Sequence, residues 1–309
     1  MSTLPTNAGQ SQDAWGDFWA LNARGNTSGE GGGCLPQRWA AIEQAQSGIW
    51  HELAECLPQG AKVLDLATGD GRVLAWMRSK RPDLALTGVD LSPTLPMPPT
   101  GTETRSGIAM EELPFAASVF DAVVSQFGFE YGDVPRVTAE IARVLAEGGK
   151  VGLIMHRGDG PILEHNRQRR DELLWPLKEK AVARKVKTAL KKGPSAIDKA
   201  AEFAGKIAQK GAEKFGQQSP AWEIPEAIRR TCLMGRKSGV GSIVETIATI
   251  EGHAKNELGR IKSLSGACAT ADGRQTIVDH FAKKNLNLAE TRSLKEENGR
   301  EFADFVRFE

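Results

Sequence analysis

The run Val63-Leu64-Asp65-Leu66-Ala67-Thr68-Gly69-Asp70-Gly71-Arg72-Val73 leaves this chain few ways to fold. Its first residues read as a buried strand, the two glycines as a tight turn, and Arg72 onward as the start of a helix. A strand that passes into a helix through such a turn does so at the C-terminal edge of a sheet. There the helix-start N–H groups and bare main chain can meet a polar small molecule, with the Asp65 carboxylate beside them. Gly69 and Gly71 have no Cβ, so a ligand can lie directly on the backbone.

The surrounding pattern extends this reading. Trp39, Ile42, Ile49, Leu53 and Leu57 recur at helical spacing over residues 37–57, and Pro58 and Gly60 end that helix. Strands are then expected at 63–66, 85–90, 119–125 and 151–155, with helices at 72–80 and 134–146, the second closed by Gly148-Gly149. Short apolar strands alternating with helices imply a parallel sheet covered on both faces. The alternation stops after residue 157. Residues 162–262 read as helices without strands, with Ser242-Ile243-Val244-Glu245 as a capping box ahead of Ile247, Ile250, Ala254, Leu258 and Ile261. A helix at 276–284 and strands at 286–294 and 302–308 follow. The expected organisation is therefore an irregular segment or lid at 1–36, a core at 37–161, a helical insertion at 162–262, and a closing helix and strand pair at 263–309.

A net charge of +1 gives no global reason to expect a nucleic-acid binder. Cys34, Cys56, Cys232 and Cys268 lie far apart without a CxxC pair, which argues against a zinc knuckle or disulfide framework and suits a reducing compartment. No metal site is expected. Residues 1–12 are polar and lack an apolar signal core, and no apolar run reaches the roughly 18 residues of a membrane span. A cytoplasmic protein is the expectation.

Asp65-x-Ala67-x-Gly69-x-Gly71 resembles the first motif of the class I S-adenosylmethionine-dependent methyltransferases. A dinucleotide fingerprint would require a third glycine where Leu74 stands. Asp90 ends the strand Thr87-Gly88-Val89-Asp90, where a carboxylate can take both hydroxyls of a ribose. Leu113-Pro114-Phe115 followed by Phe120-Asp121 resembles the corresponding block of the quinone-biosynthesis type, the methyltransferase type 11 pattern. Two departures stand out: Ala109 occupies the position of the adenine-binding aspartate of relatives, and residues 93–99 are proline-rich where they carry a helix.

The resemblance implies a Rossmann-like, doubly wound, mostly parallel seven-stranded sheet, with the helical insertion between strands 5 and 6. It implies S-adenosylmethionine as cofactor, bound by Asp65, Ala67, Thr68, Gly69, Gly71, Asp90, Leu91, Met110, Glu111 and Gln126. His156, after the fifth strand, is the leading general-base candidate. A strand-end histidine is equally an ordinary structural residue, and His165 is a weaker candidate. Glu130 and Tyr131 can face a methyl acceptor. Trp15, Phe18 and Trp19 suit either an apolar lid over it or a plug at the sheet edge, and Arg38 suits the cofactor carboxylate or solvent.

Between Lys178 and Lys214 there are eleven Lys and Arg against four acids. Ile197, Ala201, Ala204, Ile207, Ala208 and Phe215 form a stripe there, with Ser195 as its cap. Such a basic amphipathic stretch suits a packed cap, contact with a second copy, or an anionic membrane surface; few aromatics are interleaved for nucleic acid. The expected activity is methyl transfer to a small, apolar or lipid-like acceptor. Its alternatives are a protein or RNA substrate recruited by the basic insertion, and a non-catalytic cofactor-binding regulatory subunit.

Overall fold

The computed structural model describes residues 14–20, 23 and 40–309. Arg38, and all of the 1–36 segment except residues 14–20 and 23, lie outside the described residues. The chain forms two units: one runs to Leu163 and resumes over Ser263–Glu309, and the other is Glu164–Lys262.

The first unit holds α1 (residues 14–20), α2 (Ala40–Glu55), β1 (Lys62–Leu66), α3 (Arg72–Lys80), β2 (Ala85–Asp90) and β3 (Glu103–Ser106). It continues with β4 (Phe120–Gln126), α4 (Val134–Val144) and β5 (Leu145–His156), and after the second unit ends with α10 (Arg274–Ala282), β6 (Leu288–Lys295) and β7 (Glu301–Phe308). The seven strands run in the order β3-β2-β1-β4-β5-β7-β6. All neighbours from β3 to β5 are parallel, and β7 is antiparallel to both β5 and β6.

Side chains alternate across this sheet with period two. Val63, Val124, Ile154 and Phe305 face one way and pack with Trp50 and Leu53 of α2 and Leu74 and Met77 of α3. Leu64, Val123, Leu153 and Val306 face the other way and pack with Ile141 of α4 and Phe281 of α10. Both faces are covered, which is why the strands read as nearly continuous apolar runs.

Three differences from the sequence reading have physical causes. β3 was not expected, because Glu-Thr-Arg-Ser is an edge strand with no buried side chain to mark it. β5 begins at Leu145, which pairs with Phe120 ahead of the glycine pair, so α4 stops at Val144. The helix expected to start at Ser242 starts at Gly239, leaving Ser242 inside it with its carbonyl accepting from the Thr246 hydroxyl.

In the second unit, α6 (Val182–Leu190), α7 (Ile197–Phe215) and α8 (Pro220–Met234) share a core. α5 (Pro161–Leu174) enters it and α9 (Gly239–Asp272) leaves it. The stripe Ile197, Ala201, Ala204 and Ile207 is buried in that core beside Ile228 and Cys232 of α8. It is internal packing. No side-chain cap holds the start of α7; a 3-10 turn over Pro194–Ala196 leads into it.

Candidate active site

Register brings the expected residues to one edge. Leu66 lies level with Val89 of β2 and Ser125 of β4, and Gln126 with Ile154 of β5. Ala67, Asp90, Phe127 and His156 therefore all leave the sheet at its C-terminal rim.

The turn after β1 is built from left-handed residues: Ala67 at φ 54°, Gly69 at 54° and Gly71 at 74°. Thr68 folds back over β2. Its hydroxyl donates to Asp65 Oδ2 at 2.6 Å, and its N–H donates to the Val89 carbonyl at 3.0 Å. A Cβ on Gly88 would stand 2.5 Å from that hydroxyl, so β2 must carry glycine there. Asp90 ties the turn down, its Oδ2 accepting from Gly69 N–H at 3.0 Å and its Oδ1 from Ser92 N–H at 2.8 Å. Each oxygen keeps one lone pair for a further donor.

Asp65 is 1% exposed, and its Oδ1 is buried without a hydrogen-bond partner. Burial pushes its carboxyl up to about 8, partly countered by the Thr68 hydroxyl and reinforced by the Asp90 and Asp70 carboxylates. Burial also raises Asp90, against the pull of the Ser92 and Gly69 N–H groups. Two carboxylates here are poised to receive positive charge or hydrogen-bond donors.

The face of Gly69 is covered by Trp19 of α1: a Cβ on Gly69 would lie 2.4 Å from that indole. Pro99 stands similarly over Gly71, at 2.7 Å. Beside Asp90, Leu91 is an exposed apolar side chain. Glu111 Oε1 accepts from the Asp133 N–H at 2.9 Å, and Met110 packs near Gly132, so both brace the turn before α4. The Gln126 amide is engaged with α2, accepting from Trp50 Nε1 at 2.7 Å and donating to Gln46 Oε1 at 3.4 Å. Gln46 is fully buried with its Nε2 unbonded. It was missed by sequence reasoning, although a glutamine on the Ile42, Ile49, Leu53 stripe was a visible signal.

The second group of expected residues gathers at the ends of β4 and β5. His156 Nδ1 lies 2.7 Å from Glu130 Oε1, which also accepts the His156 backbone N–H at 2.9 Å. Glu130 does not face outward; its side chain is 0% exposed. Phe127, a second missed residue, stacks at 4.2 Å on the imidazole, and Tyr131 meets it edge-on at 6.0 Å. Trp15 in turn meets Tyr131 at 5.9 Å. Phe127 holds φ 56°, a strained value for a bulky residue, anchored by its N–H on the Ile154 carbonyl. Gly128 lets this loop touch the turn after β1, since a Cβ would stand 2.5 Å from Ala67 Cβ. Trp15 thus belongs to the His156 cluster, Trp19 to the glycine turn. His165 lies in the other unit.

Residues 64–153 match the family model of a methyltransferase domain. The chain is 31% identical over 98 residues to a demethylmenaquinone methyltransferase of Thermus thermophilus, covering 29% of this chain and 44% of that protein. It is 34% identical over 122 residues to the ubiquinone/menaquinone biosynthesis C-methyltransferase UbiE of Desulfotalea psychrophila, covering 37% and 46%. The chain spans less than half the length of these curated relatives. The crystal structure of a Burkholderia thailandensis 1,6-didemethyltoxoflavin-N1-methyltransferase aligns over 100% of this chain and 92% of that one, at 11% identity and a TM-score of 0.47.

Proposed function

We propose, on the premise that residues 64–153 are a class I S-adenosylmethionine-dependent methyltransferase domain, that this chain methylates a small, apolar or lipid-like acceptor. The observation that carries the reading is the pair of carboxylates at the rim, one with a buried oxygen lacking a donor and one fastened to the glycine turn. These groups suit the cofactor's chemistry. Asp65 Oδ1 would accept its ammonium, the free lone pairs of Asp90 would accept its ribose hydroxyls, and Leu91 would lie against its adenine. When bound, the cofactor supplies a methyl group already activated by a sulfonium. The chain's task is to hold the acceptor in line at near-attack distance, an effect worth up to roughly 7–11 kcal/mol. The aromatic wall of Trp15, Phe127 and Tyr131 supports a flat apolar acceptor, with His156 as base. Titration calorimetry with S-adenosylmethionine, followed by transfer of a labelled methyl group into small molecules of a cell extract, tests the proposal. Absence of both binding and transfer by folded protein would sink it.

The state of Asp65 makes binding proton-linked. Between the ordinary carboxylate range and about 8, the folded chain holds a proton that the unfolded chain has lost. Stability from this group is therefore lost as pH rises through that window, by up to about 1.4 kcal/mol per unit. A bound ammonium reverses the preference and ionises Asp65. Binding of S-adenosylhomocysteine at pH 7 is accordingly expected to release close to one proton, which would make the binding enthalpy vary with the buffer's ionisation enthalpy. Asp65→Asn is expected to abolish that variation.

A ligand lying on Gly69 also has to displace Trp19. Removing a half-buried indole contact of about 1 kcal/mol is expected to make Trp19→Ala bind S-adenosylhomocysteine about fivefold more tightly. Weaker binding by Trp19→Ala would instead make the indole part of the bound site.

A further inference from the structure

We infer that Glu130 is a positioning residue that fixes His156 as its Nδ1–H tautomer and leaves Nε2 as the basic atom facing the acceptor. As catalysis, this rests on the methyltransferase reading; as a statement about the two side chains, it rests on geometry alone. Glu130 Oε1 receives two donors from one residue, the His156 backbone N–H at 2.9 Å and the ring at 2.7 Å. A carboxylate oxygen so placed can only accept, so Nδ1 carries the hydrogen. The double attachment, with Phe127 on the ring face and Tyr131 at its edge, leaves the imidazole one orientation. No described residue bonds Nε2.

Packing does not account for Glu130. Its side chain is wholly buried, and Oε2 is buried without a hydrogen-bond partner. An apolar residue of the same size would avoid that desolvation cost. Beyond accepting the His156 backbone N–H, a carboxylate there is placed to stabilise a ring that becomes positively charged. Arg157, next in the chain, does not serve as that neighbour, since it pairs with Asp159, Glu301 and Asp304.

The consequence is a constraint on the acceptor: its nucleophilic atom carries a proton. As the acceptor's X–H bond breaks, the proton passes to Nε2. The electron pair left on X forms the bond to the methyl carbon, and the carbon–sulfur pair leaves with sulfur. His156 ends as an imidazolium against Glu130. A tertiary amine or carboxylate acceptor would need none of this.

Nitrogen-15 NMR of the ring atoms tests the inference without turnover. The chain has five histidines, and His156 is identified by the signal lost in His156→Asn. The neutral wild-type ring is expected as the Nδ1–H tautomer. Glu130→Ala removes the acceptor and is expected to release the ring to a mixture of Nδ1–H and Nε2–H tautomers. Glu130→Gln, whose amide oxygen still accepts, is expected to keep the wild-type tautomer while dropping the charge. In turnover, Glu130→Gln is expected to slow kcat at least about tenfold and leave the Kd for S-adenosylhomocysteine unchanged. A wild-type Nε2–H tautomer, or a tautomer ratio unmoved by Glu130→Ala, overturns the inference. An unchanged kcat in Glu130→Gln overturns its catalytic half. If wild type binds no S-adenosylmethionine, the methyltransferase reading fails, while the tautomer still decides the role of Glu130.

Discussion

Asp90→Ala is expected to weaken binding of S-adenosylhomocysteine about a hundredfold or more in titration calorimetry, with the fold retained by circular dichroism. Two losses combine. Each Asp90 oxygen has one lone pair left after accepting from Gly69 or Ser92, and two charge-assisted bonds to a ribose are worth about 1.5–3 kcal/mol each. Since 1.4 kcal/mol is about a factor of ten, those bonds alone set the scale. The substitution also releases the Gly69 N–H, which anchors the turn on which the proposed ligand would lie. Asp90→Asn is little better. Its amide has one accepting oxygen where two backbone donors converge, so its NH2 must oppose either Gly69 or Ser92. An affinity within threefold of wild type for both variants would remove the ribose from Asp90.

The half of the site built by neighbours in sequence was legible. Asp65, Thr68, Gly69 and Gly71 sit on one strand and its turn, and the spacing that marks the turn also fixes its geometry. Asp90 was legible for a related reason: a strand end is a position that pattern alone locates. What escaped was the set of partnerships made across the sheet. Glu130 was read as facing the acceptor because it follows a strand that ends at the sheet's C-terminal edge. Its burial is decided by β5, which brings the His156 N–H and ring to it from 26 residues away. The Gln126 amide was assigned to the ligand because it follows the fourth strand at the sheet's C-terminal edge. Trp50 and Gln46 do so from α2.

The fold shows the same division. Apolar strands between helices announced themselves, while β3 was silent because an exposed edge strand of polar residues carries no period-two contrast. The basic run was the more instructive case. Its pattern left a packed cap, a second copy and a membrane surface all open; its apolar residues lie in the core of a helical unit, and small side chains there signal close helix approach.

That close approach makes Gly211 a sensitive position of the second unit. A Cβ there would stand 2.1 Å from the Ala221 carbonyl oxygen and 2.6 Å from its carbon. Both are backbone atoms of α8, so no rotamer change relieves the contact and the helices must part. Parting them opens gaps along Ile207, Ala204 and Ala201, which pack in the same core or line the same stripe. Overpacking typically costs 1–3 kcal/mol, and the rigid obstacle places Gly211→Val at about 3 kcal/mol or more, lowering the helical unfolding midpoint in far-ultraviolet circular dichroism. Gly252, inside α9, gives the opposite sign. It is exposed, and a Cβ there meets nothing within 4 Å. Gly252→Ala therefore gains only the reduced entropy of the unfolded chain, a stabilisation of about 0.4–1 kcal/mol. A Gly211→Val protein that melts with or above wild type would mean that α7 and α8 do not pack backbone to backbone. The alanine-rich stripe would then be free for another partner.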